Sequence, residues 1–217
     1  MVVYLHGLWL HGHESLLLRR HLESAYGFDL RVFHYPSVSA PMAEVTARLQ
    51  AFIADEAPQE LHLVGHSLGG LIAYRFLERY PQQPPGRVVF LGTPALASRA
   101  ARDVGRAQWA RTLLGRCVAE ELLTEQRREW SNTRDLGIIA GTRALGLGRL
   151  VVRFGEANDG SVAVSETRLP GARDHITLPV SHMGMLLSAR VARETGGFLA
   201  HGHFSHHAAT SASRISQ

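Results

Sequence analysis

The sequence predicts an α/β fold: about six mostly parallel strands with helices on both faces of one sheet. Two patterns carry that expectation. Short apolar runs alternate along the chain with longer stretches of helical period, the order that builds strand–helix–strand crossovers. The runs are also continuously apolar rather than alternating, as strands buried on both faces must be. At 217 residues, 45% hydrophobic and 19% charged, the chain suits one soluble domain with a sizeable core.

The expected strands are Val2–Leu5, Leu30–His34, Leu61–Gly65, Val88–Leu91, Leu136–Ala140 and Ile176–Val180. Between the second and third, Val45, Leu49, Phe52 and Ile53 repeat at helical spacing, and Pro41 suits a first helical turn. Leu71 to Tyr80 continues helically until Pro81 stops it, and Met183 to Arg193 reads as a last helix. Two connections exceed what a crossover needs: residues 95–134 and residues 142–174, the latter holding an apolar run at Leu150–Phe154. A stripe of Trp109, Leu113, Cys117, Val118 and Leu122 in the first fits either a lid or a helix packed on the sheet. The expected domain is residues 1–196, with a possible lid or insert at 95–134 and a mobile tail at 197–217. The tail's His201, His203, His206 and His207 lack a carboxylate or cysteine at fixed spacing, so no metal is expected.

Composition excludes several classes. No apolar run approaches the roughly 20 residues that span a bilayer. "MVVYLHG" lacks the features of a secretory signal, and the single cysteine, Cys117, excludes an internal disulfide; a cytoplasmic location is expected. The net charge of +4 comes entirely from arginines, which are scattered among acidic residues without interleaved aromatics. That is a solvated surface rather than a nucleic-acid face.

The chemistry concentrates in "LHLVGHSLGGLIAYRFL", Leu61 to Leu77. "GHSLG" fits G-x-S-x-G between an apolar strand and a helix, the context in which the serine sits on a strained turn as a nucleophile. Gly65 and Gly69 flank it where side chains would strike the neighbouring strand and helix, and Gly70 lets the helix approach closely. The helix N-terminus favours negative charge developing beside Ser67. A serine needs a base within hydrogen-bond reach, and parallel sheets assemble their sites at the strands' carboxyl ends. That rule sorts the thirteen histidines. His175 precedes a strand, His34 ends one, His62 lies within one, and His66 reads as a packing residue. His182, just after the last strand, is the expected base. Asp29, Asp135 and Asp174 precede strands, Asp55 lies in a helix and Asp103 sits in the first long connection. Asp159, in "EANDGSVAV", has the right place and order to hold the imidazole, with Glu156 in reserve. The backbone N–H groups of Leu8 and Leu68 are the expected oxyanion donors. Trp9, Leu10, Thr93 and Met183 are the expected substrate contacts.

The stretches "VVYLHGLW", "LHLVGHSLGGLIAYRF", "VVFLGTP", "DGSVAVSE" and "VSHMGML" resemble the α/β-hydrolase superfamily, in order and across most of the chain. Within it the chain is similar to small bacterial lipases and esterases and to the lipase-like GPI-inositol-deacylase branch. The resemblance implies a minimal α/β-hydrolase fold and the same roles: Ser67 nucleophile, Asp159 acid, His182 base. His6-Gly7-Leu8 is similar to lipases that offer one oxyanion N–H there. Two departures stand out. The early antiparallel strands are absent, and Thr93-Pro94 continues with Ala95-Leu96 where many such lipases have His-x-Gly. The expectation is a serine hydrolase of carboxylic esters that needs no cofactor. Its substrate would be a small-molecule or lipid ester, with transient contact to a lipid surface but no integral membrane segment. Acyl transfer, thioester cleavage and amide cleavage use the same triad; a silent binding module is the rival from another class.

Overall fold

The protein is described by a computed structural model at residues 1–96, 128–145 and 155–206. Six strands form one parallel sheet: β1 (Val2–Leu5), β2 (Leu30–Phe33), β3 (His62–His66), β4 (Val88–Leu91), β5 (Leu136–Gly141) and β6 (Asp174–Leu178), in the order β2-β1-β3-β4-β5-β6. The switch of direction falls at β1 and β3, so the loops leaving these two strands diverge and open a crevice at their carboxyl ends.

Alternation along the strands divides the interior into two cores. Val3 and Leu5 join one with α2 (Met42–Glu56) and α3 (Leu68–Arg79). Val2 and Tyr4 join the other with α1 (Leu16–Tyr26) and the C-terminal helix α5 (Ala189–His201). All four β1 residues are fully buried, which is why "VVYL" is apolar without interruption. A short helix, α4 (Val164–Thr167), precedes β6. No helix among the described residues is long and apolar enough to cross a membrane.

The structure adjusts several expectations. α1 was not anticipated, and α3 starts at Leu68 rather than Leu71. β6 starts at Asp174, two residues ahead of the expected Ile176; as the outermost strand it is only partly buried at Asp174 and His175 and tolerates polar residues there. The expected helix from Met183 is a 3₁₀ turn at Gly184–Leu187 followed by α5, which continues to His201. Residue 197 therefore does not begin a mobile tail. Phe198, Leu199 and Phe204 are buried, and Asp174 and Glu194 accept hydrogen bonds from the Phe204 and Ser205 N–H groups. The Trp109–Leu122 stripe, Cys117, Asp103, Leu150–Phe154 and His207 lie outside the described residues.

Candidate active site

From Leu61 to Tyr74, Ser67 is the only residue that is not buried. It joins β3 to α3 at φ 53° and ψ −117°, a conformation that costs a β-carbon-bearing residue of order 1–3 kcal/mol and persists only where the surroundings enforce it. They do so at several points. The Ser67 N–H donates to the Leu91 carbonyl at 2.9 Å, and its own carbonyl accepts from Gly70 N–H at 3.1 Å. A Cβ on Gly69 would stand 2.0 Å from the Leu5 carbonyl oxygen, and one on Gly65 2.4 Å from the Gly70 nitrogen. The glycines are thus required by close backbone approach, and the turn throws the Ser67 side chain outward. Its Oγ donates no hydrogen bond among the described residues and is uncommitted.

His182 and Asp159 meet as the sequence predicts. The two residues are joined by a 2.7 Å hydrogen bond from His182 Nδ1 to Asp159 Oδ2. The backbone reinforces it, His182 N–H donating to the Asp159 carbonyl at 2.9 Å. Asp159 is 1% exposed, and its other oxygen accepts from the N–H groups of Ser161 at 2.8 Å and Val162 at 2.7 Å. Three donors fix the orientation of this buried carboxylate. With Nδ1 donating, His182 Nε2 is left as the acceptor, the atom a base must present. Gly92 and Gly141, near the carboxyl ends of β4 and β5, clear the space: a Cβ on Gly92 would stand 3.0 Å from Asp159 Oδ2 and 3.1 Å from His182 Nδ1. Glu156, the reserve acid, is exposed and accepts from Ser165 Oγ instead.

The loop after β1 is a tight turn, Leu10 N–H donating to the Gly7 carbonyl at 3.3 Å with Trp9 at φ 60°. It is pinned from the β2 side, where Ser37 Oγ accepts from Trp9 N–H at 3.1 Å and Tyr35 donates its hydroxyl to the His6 carbonyl. The His6 ring stacks on Tyr35 at 4.0 Å and bonds through Nδ1 to the Gly7 carbonyl at 2.9 Å. Burial lowers the His6 pKa, so the ring is neutral and Nδ1 is the donor to that carbonyl. Leu68 opens α3, where an N–H has no carbonyl one turn back within the helix.

The expected substrate contacts divide. Trp9 and Met183 are exposed by 57% and 47%. Leu8 and Leu10 pack against the two cores instead. Thr93 is fully buried, and Gly70 lies against it so closely that a Cβ there would come within 2.0 Å of Oγ1. Thr93 therefore backs the elbow rather than presenting itself to a substrate. His66, read from the sequence as packing, is buried and bonds through Nε2 to the His182 carbonyl at 3.1 Å. Nothing in its sequence position signals this, because its partner lies 116 residues away. Among the described residues no group of three or more His, Cys, Asp or Glu could hold a metal ion.

Comparison with known proteins agrees with this architecture. The profile of a hydrolase family described as serine aminopeptidase, S33, matches residues 27–140, just over half of the chain. The chain belongs to that family. As an α/β hydrolase it is similar in fold to a Bacillus licheniformis lipase, BlEst2, in mature form, at TM-score 0.71 and 20% identity, covering 92% of this chain and 90% of that one. It is likewise similar to the phospholipase PlaB from Legionella pneumophila (TM-score 0.65, 16% identity, 90% of this chain and 56% of that one). A third similar structure is RedJ, a thioesterase of the prodiginine biosynthetic pathway in Streptomyces coelicolor (TM-score 0.56, 15% identity, 90% and 84%). No curated protein sequence matches the chain.

Proposed function

We propose that this α/β hydrolase cleaves carboxylic esters through an acyl-enzyme on Ser67. One observation carries the reading: the 2.7 Å His182–Asp159 hydrogen bond, built at the same sheet edge as a strained, partly exposed Ser67. His182 Nε2 takes the proton as Ser67 Oγ attacks the ester carbonyl carbon. The buried Asp159 carboxylate stabilises the imidazolium so formed. The carbonyl oxygen, now an oxyanion, accepts from the N–H groups of Leu8 and Leu68, a contribution of about 3 kcal/mol per donor. Collapse of the tetrahedral species expels the alcohol, which takes the proton from His182. Water, deprotonated by His182, then attacks the acyl carbon, releases the acid and frees Ser67. No step calls for a cofactor. The substrate class is a small-molecule or lipid ester, met in the cytoplasm or at a lipid surface through the exposed Trp9 and Met183.

The test is Ser67→Ala against a panel of p-nitrophenyl esters, an acyl thioester and an aminoacyl anilide. Ester turnover should fall by roughly 10⁴-fold or more with the fold intact by circular dichroism. Retention of ester turnover in that variant would remove Ser67 from the mechanism, and preference for the thioester or anilide would reassign the bond cleaved.

A further inference from the structure

To serve as base for Ser67, His182 has an awkward starting point. It follows β6, the outermost strand, whereas Ser67 follows β3, and β4 and β5 lie between them. The chain after β6 must therefore run back across two strand ends and stop in register with the serine. It is guided on the way: Thr142 N–H donates to the Leu178 carbonyl at 3.0 Å and Arg143 N–H to the Val180 carbonyl at 3.1 Å. Asp159 then fixes the His182 N–H and ring. None of these bonds comes from the elbow that carries Ser67. Immediately afterwards the chain turns out to solvent at Met183, 47% exposed.

The missing link is His66. Its ring lies 4.7 Å from that of His182 at 45°, and its Nε2 is 3.1 Å from the His182 carbonyl oxygen. A carbonyl only accepts, so Nε2 carries the proton and Nδ1 is bare. That Nδ1 is buried without a partner among the described residues, against Gly7 of the loop after β1. An apolar side chain of similar volume would leave no such buried nitrogen unpaired, so packing alone does not explain a histidine here. Resting on the serine-hydrolase reading, we propose that His66 is a positioning residue: its Nε2–H, donated to the His182 carbonyl, ties the base loop directly to the elbow bearing Ser67. The tie can hold a fixed geometry because His66 ends β3, hydrogen-bonded between β1 and β4, and is the residue next to the nucleophile. The ring also stays neutral, its pKa pushed down to about 3 by burial and by the neighbouring His182, so the donor persists and no second positive charge opposes the imidazolium.

A misplacement near 1 Å can cost about 10²-fold in rate, which sets the scale of the test. His66→Leu removes the donor at similar volume; His66→Gln keeps an N–H on a side chain that can reach the carbonyl. For a soluble p-nitrophenyl ester, kcat should fall about 10- to 100-fold in His66→Leu with KM within about two-fold, and His66→Gln should recover most of the loss. The second-order rate of fluorophosphonate labelling at Ser67 should follow kcat. Should His66→Leu fail to fold by circular dichroism, His66→Met against His66→Gln makes the same comparison, as the pair match in length and differ in the donor. A folded variant without the donor that keeps kcat within two-fold of wild type overturns the proposal. Equal losses with and without the donor overturn it too, since they would mark a purely steric role. Ser67→Ala assayed in parallel separates the two levels: if it is inactive while His66→Leu is fully active, only the positioning role falls. If Ser67→Ala itself remains active, the serine-hydrolase reading falls as well.

Discussion

The two edges of the sheet treat their charged groups differently. At the amino edge the charges of Arg87, Asp135, Arg134 and Arg173 end on partners, although His62 Nε2 is buried without a hydrogen bond among the described residues. Arg87 bonds Asp135 at 3.3 Å and the Leu199 and Ala200 carbonyls at 2.8 and 3.2 Å. Arg173 bonds the other Asp135 oxygen at 3.2 Å, and Arg134 donates to the Leu61 and Pro84 carbonyls. His62 accepts from the Arg87 N–H. At the carboxyl edge Asp159 is as thoroughly bonded, but the chain of bonds stops at His182, leaving Nε2 and the Ser67 hydroxyl with capacity to spare. Two of the three described non-glycine residues with positive φ, Trp9 and Ser67, also lie at this edge. Paired charges mark the amino edge, and spare hydrogen-bonding capacity with local strain marks the edge of the candidate site.

Substitutions can break that contrast, and the largest effect is expected at the bonded end of the carboxyl edge. Asp159→Asn should lower kcat by roughly 10³–10⁴-fold, about 4–5.5 kcal/mol of transition-state stabilisation, because an amide can hold the wrong imidazole tautomer. Its melting temperature should move little by comparison. Next, Gly69→Ala would drive a Cβ to 2.0 Å from the Leu5 carbonyl oxygen. A cost of about 3 kcal/mol, or roughly 10 °C in melting temperature, is expected by calorimetry. A smaller effect should come from pH. His66 and His62 both have pKa values lowered by burial, His66 to about 3, against an ordinary value of 6.5. Between those limits the unfolded chain binds protons that the folded chain refuses, so stability is complete above about pH 6.5 and declines as pH falls toward 3. Melting temperature should be several degrees lower at pH 5 than at pH 7.5, and a flat profile would mean these rings titrate freely. Smallest of all, Arg173→Ala removes a half-exposed ion pair and should cost under about 1 kcal/mol with kcat unchanged.

Much of the candidate site was legible because its rules are positional. A serine between a strand and a helix, an acid in the loop beyond β5 and a histidine beyond β6 are read by asking which end of a strand each follows. The helix α1 was harder: Leu16 and Leu17 are exposed while only Leu18 and Leu22 are buried, so "LLLRRHLESAY" shows no clean apolar face. The C-terminal boundary was misread for a packing reason. Gly196-Gly197 looks like a helix stop, yet Gly196 sits in α5 because the Tyr26 ring of α1 lies where its Cβ would be, 2.3 Å away. β6 begins at Asp174 because an outermost strand need not be apolar throughout. Thr93, an expected substrate contact, is enclosed by the close approach of Gly70, which only the folded chain shows. His66 reads as a packing residue in the sequence, since only the folded chain brings its Nε2 to the His182 carbonyl.

In the proposed mechanism Ser67 is a nucleophile activated by His182. Peptide mass spectrometry after reaction with a fluorophosphonate tests it most directly. One adduct is expected, on Ser67, formed rapidly in the wild type and at least about 10²-fold more slowly in His182→Ala. An adduct on another residue, or labelling of Ser67 at the same rate without His182, would contradict it.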